Sequence, residues 1–123
     1  MIETTTLPAP SGAHQRLARQ MIERRRLRAR FFDSQFFGEQ GWDLLLLLFA
    51  HQSQPISVDE AGEALQSGAS TVMVMARLLA SHGLVTLGDS LGRWEEIPIR
   101  LSAEGSRKVA DYLDQVDHAG LLG

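Results

Sequence analysis

The 123-residue sequence has no cysteine, which excludes a disulfide framework, a thiolate zinc site, an iron-sulfur cluster and a cysteine nucleophile together. A cytoplasmic protein is the expectation that follows. Long apolar runs are missing too. The longest, Leu44 to Ala50, is far short of the roughly 20 residues that span a bilayer, so no membrane partner is expected. The opening MIETTTLPAPSGAH lacks a basic start followed by an apolar stretch and does not read as a secretory signal. No nucleophile elbow, phosphate loop or paired His and carboxylate motif occurs, so the chain does not read as an enzyme. The four histidines, His14, His51, His82 and His118, share no metal-ligand spacing, and neither a metal nor a cofactor is expected. His51 and His82 instead suit helix C-termini, where a ring meets the last free carbonyls.

What is present is ordinary globular usage, with 44% hydrophobic and 22% charged residues, in a length that fits one compact domain. Thr, Pro, Ala, Ser and Gly dominate the start, so residues 1–13 are expected to form a flexible tail and residues 14–119 the domain. Twelve basic and fifteen acidic residues leave a net charge of −3, which argues against a surface that attracts nucleic acid everywhere. The charge is unevenly spread. Residues 16–30 carry seven arginines, Arg24, Arg25, Arg26, Arg28 and Arg30 among them, against one acid, Glu23. Such a block is either a phosphate-binding face or the cationic half of an intramolecular or dimer contact with Asp111, Asp114 and Asp117.

Periodicity predicts a long first helix from His14 to Phe37, with Leu17, Met21, Leu27, Phe31 and Phe32 at mostly helical spacings. A break from Gly38 to Gly41 precedes WDLLLLLFAHQ, a helix apolar around most of its circumference that other elements must enclose. Pro55 ends it. Ser57 and Glu60 have capping-box spacing and open a third helix with Ala61 and Leu65 inward. After a turn at Ser67, Gly68 and Ala69, a fourth helix runs from Ser70 to His82, and Gly83 and Leu84 supply its C-terminal cap. Of the alternating Met73 and Met75, Met75 is expected in the core and Met73 near the surface. LVTL and WEEIPIRL around GDSLGR read as a hairpin, with Pro98 marking its returning strand as an edge or a bulged one. Ser102 caps a last helix with Val109, Leu113 and Val116 on one face. Trp42 is expected in the core and Trp94 packed on the wing strand.

The fold expected is therefore mainly α with a small β-hairpin, a winged helix-turn-helix with the helix-turn-helix at 57–83 and the wing at 84–101. The segments SVDEAGEAL, STVMVMARLLASHGLV, DSLGRW and IRLSAEG, in this order, resemble the MarR family of bacterial transcriptional regulators. RRRLRARFFDSQFF followed by GWDLLLLLF is similar to short proteins of that type with an arginine-rich opening helix. The resemblance implies a homodimer paired through its first and last helices, bound to double-stranded DNA. Ser70, Thr71, Val74 and Arg77 would then face the major groove and Arg93 the minor groove. It also implies a small aromatic effector between the dimerisation helices and the DNA-binding lobe. Only Arg77 is basic between residues 57 and 83, against Asp59, Glu60 and Glu63. That balance keeps an alternative open, a winged-helix module for protein-protein interaction without base readout, presenting Met73, Val74 and Leu78, with Met75 as a further candidate, as an adaptable apolar patch.

Overall fold

The computed structural model describes residues 12–32, 38–51, 54–90 and 92–120. The expected tail up to Ser11 and the aromatic pair Phe36 and Phe37 lie outside the described residues. Helix α1 (Gly12–Phe31) starts two residues before the expected His14, and Arg28 and Arg30 in its last turn complement the helix dipole. None of its residues is fully buried; Leu27 and Phe31 lean on the core, and Phe32 just beyond it is buried.

Helix α2 (Gly38–Ala50) absorbs the expected Gly38 to Gly41 break into its first turn. Gly38 itself has φ +55°, a left-handed conformation that glycine takes without steric penalty and that lets the chain enter the helix there. Trp42, Leu44, Leu45 and Leu48 are buried, and Leu46, Leu47 and Phe49 half-buried, so α2 is enclosed on nearly all sides as its composition requires. His51 Nδ1 lies 3.0 Å from the Leu47 carbonyl, the C-terminal contact anticipated for it.

A two-residue strand, β1 (Ile56–Ser57), precedes α3 (Val58–Leu65). Both halves of the capping box form: Glu60 N donates to Ser57 Oγ at 3.1 Å and Ser57 N to the Glu60 carboxylate at 2.8 Å. Gln66 ends α3 in the left-handed region at φ 53°. The chain turns there so tightly that a Cβ at Gly62 would sit 2.9 Å from the Ser67 carbonyl. Helix α4 (Ala69–Ser81) begins one residue earlier than expected. Its C-terminus is a Schellman motif: Leu84 N donates to Leu79 O, and Gly83 N to Ala80 O, with Gly83 at φ +76°.

Strands β2 (Val85–Leu87) and β3 (Pro98–Leu101) pair antiparallel as the expected hairpin, with Val85 opposite Leu101. The returning strand is not an edge, however. The sheet order is β1-β3-β2, which places Pro98 in the central strand opposite Ser57. It is tolerated because it is the first residue of β3 and a ladder position there needs no donor; its carbonyl still accepts from Gly88 N. Helix α5 (Ala103–His118) is capped by Ser102, whose Oγ accepts from Gly105 N and donates to Gly83 O. Val109, Tyr112 and Val116 are buried and Leu113 half-buried. One contiguous cluster joins these side chains to α2, α3 and the sheet. No helix among the described residues is long and apolar enough to cross a membrane.

Candidate nucleic-acid interface

Helix α4 stands between α2 and α3 on one side and β2 on the other, with Val72, Met73, Ala76 and Leu79 buried beneath it. The expected assignment of the methionines is reversed. Met73 is 6% exposed and belongs to the core, whereas Met75 is only half-buried. An apolar surface patch on α4 therefore excludes Met73. The outward residues are Ser70, Val74, Arg77 and Ser81, which recur every three or four positions and so form one stripe along the helix. Val74 is 61% exposed. Arg77 has no ion-pair partner among the described residues. Thr71 departs from the stripe. It is half-buried and lines a cavity of about 220 Å³ between α2, α3 and α4, with Gln40, Asp43, Gln66 and Met75.

The wing follows α4 directly. A short 3₁₀ turn, Trp94–Glu96, leads into β3, and Trp94, expected to pack on the wing strand, is 42% exposed on that turn. Arg93 precedes it. Its side chain is 65% exposed, and its guanidinium lies 3.7 Å from the Asp59 carboxylate and 3.4 Å from that of Glu95. Ser90 Oγ sits 3.0 Å from the carbonyls of both Gly92 and Arg93 and folds the tip back on itself. Arg100, opposite Thr86 on the outer face of the sheet, is a further exposed cation that the alternation of Ile97, Ile99 and Leu101 already turned outward.

The arginine helix separates into two kinds of side chain. Arg25, Arg26 and Arg30 are exposed, with Arg26 paired to Glu23 at 3.0 Å. Arg28 turns inward: 13% exposed, it pairs with Glu39 at 2.9 Å and stacks over Trp42 at 5.1 Å from the ring centroid. Arg24 is half-buried, and its Nε is buried without a hydrogen-bond partner. No ion pair among the described residues joins these arginines to Asp111, Asp114 or Asp117. Between α1, α2 and α5 lies a cavity of about 270 Å³ lined by Arg24, Arg25, Arg28, Glu39, Trp42 and Tyr112. The Tyr112 hydroxyl donates to the Arg24 carbonyl at 3.3 Å. Burial raises its pKa above 10, against the pull of the Arg28 and Arg24 guanidiniums. Tyr112, which stacks edge-on against Trp42, carries no signal in the sequence beyond its place one residue before Leu113.

No family model matches the sequence, and no curated protein sequence matches it. Solved structures do. MepR from Staphylococcus aureus in complex with DNA is similar at 20% identity with a TM-score of 0.73, over 89% of this chain and 86% of that one. NadR in complex with 4-hydroxyphenylacetate is 16% identical with a TM-score of 0.64, over 98% and 82% of the two chains. The heme sensor PefR from Streptococcus agalactiae, bound to heme, is 18% identical with a TM-score of 0.60, over 95% and 82%. Among the described residues, five α-helices around a small antiparallel sheet, matched over 89% of this chain, give it the winged helix-turn-helix fold of these proteins.

Proposed function

We propose that the protein is a MarR-like, DNA-binding transcriptional regulator that acts as a homodimer in the cytoplasm. The observation that carries this reading is the outward stripe of α4 within a fold that matches MepR, a protein solved on DNA, over 89% of the chain. Ser70, Val74 and Arg77 enter the major groove. Thr71, half-buried against the cavity between α2, α3 and α4, is left out of the groove contacts. Arg93 serves the minor groove: its side chain is largely exposed and both of its ion pairs are long, and such pairs contribute little and exchange readily for phosphate. The exposed Arg26 and Arg30 supply phosphate or dimer contacts, while Arg24, Arg25 and Arg28 line the open cavity between α1, α2 and α5. Subunits pair through α1 and α5, since α1 leaves Leu17, Met21 and Ile22 between 41% and 56% exposed in the single chain.

Binding of the purified protein to a mixed-sequence labelled duplex, followed by fluorescence anisotropy, tests this directly. Neutralising about six phosphates makes affinity fall roughly 10³-fold between about 50 and 200 mM salt. No binding at the lower salt overturns the reading in favour of the protein-interaction module. That alternative now rests on Val74 and the half-buried Leu78 and Met75, with Met73 withdrawn into the core.

The cavity between α1, α2 and α5 favours a second role, binding of a small aromatic acid. The unpartnered Arg24 Nε and the adjacent Arg25 offer donors to a carboxylate, and Trp42 and Tyr112 offer ring faces. NadR was solved with a ligand of that chemistry. Titration of 4-hydroxyphenylacetate against tryptophan fluorescence is expected to saturate in the wild type and to weaken in Arg24→Gln; an unresponsive wild type removes the role.

A further inference from the structure

We infer that Val74 makes the duplex preference of this protein a preference for thymine, by seating its side chain against a thymine 5-methyl group in the major groove. The inference rests on the DNA-binding reading and adds to it which base the helix reads. Val74 has the largest exposure among the large hydrophobic side chains of the described residues. It occupies the middle of the α4 stripe, with Ser70 one turn before it and Arg77 one turn after. Among the described residues nothing covers it, although Val72 and Met73 beside it are buried.

Valine has no hydrogen-bonding group, so it gains nothing from the edges of guanine, adenine or cytosine. The apolar group that a standard base pair presents in the major groove is the thymine methyl. Branching at Cβ holds the valine in one χ1 rotamer within a helix, so its methyls are already aimed outward and lose little freedom on contact. The hydroxyl of Ser81, farther along the stripe, is committed to the Leu78 carbonyl at 2.6 Å, and Ser70 is short. Discrimination therefore falls to Val74 and Arg77. Their Cα atoms differ by about 4.5 Å in rise along the helix, comparable with the roughly 3.4 Å between bases on one strand. The thymine and the guanine or phosphate taken by Arg77 thus lie within one or two steps. With Asp59, Glu60 and Glu63 on α3, the helix-turn-helix gains little from phosphate attraction, which leaves the apolar contact a large share of the selectivity.

The test is to select a preferred duplex from a random pool and then replace each dT in turn by dU, which removes only the methyl. Wild-type protein is expected to lose about fourfold in affinity, the factor for one buried methyl, at one dT per half-site. Val74→Ala binds the dT and dU duplexes equally, while Arg77→Ala binds both more weakly and keeps their ratio. Val74 is on the surface, and circular dichroism checks that the variants stay folded. A wild type indifferent to dU at every position, or a Val74→Ala variant that keeps the wild-type ratio, overturns the inference and leaves DNA binding standing. Absence of any selected duplex overturns both.

Discussion

At Gly105 the first turn of α5 passes so close to the Leu84 carbonyl that a Cβ would run into it. The approach exists because Ser102 ties this turn to the wing, with its backbone N donating to Leu84 O and its hydroxyl to Gly83 O. A backbone oxygen has little freedom to move. Gly105→Ala is expected to destabilise the protein by about 3 kcal/mol, the upper end for overpacked sites, read as a lowered urea midpoint. Tyr112 makes a second residue-level prediction, because it is the only tyrosine in the sequence. Its folded pKa is raised above 10, first by burial, so the folded state holds its proton more tightly than the unfolded chain. The stability this provides is present below pH 10 and is lost as pH rises through the folded value. Tyrosinate absorbance should titrate above pH 10 in the native protein and near 10 in urea. A native midpoint at or below 10 would mean that Arg28 and Arg24 outweigh the burial.

Among the described α-helices, α3 is the shortest, eight residues, and depends most on its ends. Isolated helices of that length are not stable, so the capping box and the buried Val58, Ala61 and Gly62 hold it. Ser57→Ala is expected to cost about 1 kcal/mol, measured by the same denaturation. Ser57 belongs to β1 as well, where it pairs with Pro98. The cap of α3 thus joins the helix-turn-helix directly to the sheet that carries the wing. The caps of α3, α4 and α5 were legible in the sequence, since each is made by residues within a few positions of the helix end. Strand β1 was not. Two residues beside Pro55 carry no alternation, and the strand exists because β3 lies next to it. For the same reason Pro98 looked like an edge residue when only one partner strand was in view.

For the molecule as a whole, α1 is the least buried long element and carries Leu17, Met21 and Ile22 at its surface. If it pairs with a second copy, sedimentation should show a dimer for the wild type. Ile22→Glu should shift that equilibrium toward monomer without loss of helical signal, because no buried residue of the single chain is changed. A wild-type monomer at tens of micromolar would remove α1 from the dimerisation role. The same helix shows how far charge counting reaches. Its basic character was plain from composition, but Arg28 turns to Glu39 and Trp42 while Arg25 faces solvent. A run of like residues on a helix points in every direction, and only the position of α2 and α5 decides which arginines are covered.

The sequence by itself determined the order of the five α-helices and the wing hairpin, the capping box of α3, the Ser102 cap of α5 and the Schellman turn after α4. Each of these follows from residues one to four positions apart, where backbone geometry repeats without help from the rest of the fold. The tertiary structure alone decided that Met73 rather than Met75 is buried, that Thr71 turns toward a cavity, that β3 is central, and that Tyr112, Trp42 and three arginines meet in one cavity. Helix α4 is apolar on both flanks of its stripe, so its period fits either methionine inward. The choice belongs to what packs beneath it, and those partners lie far away along the chain.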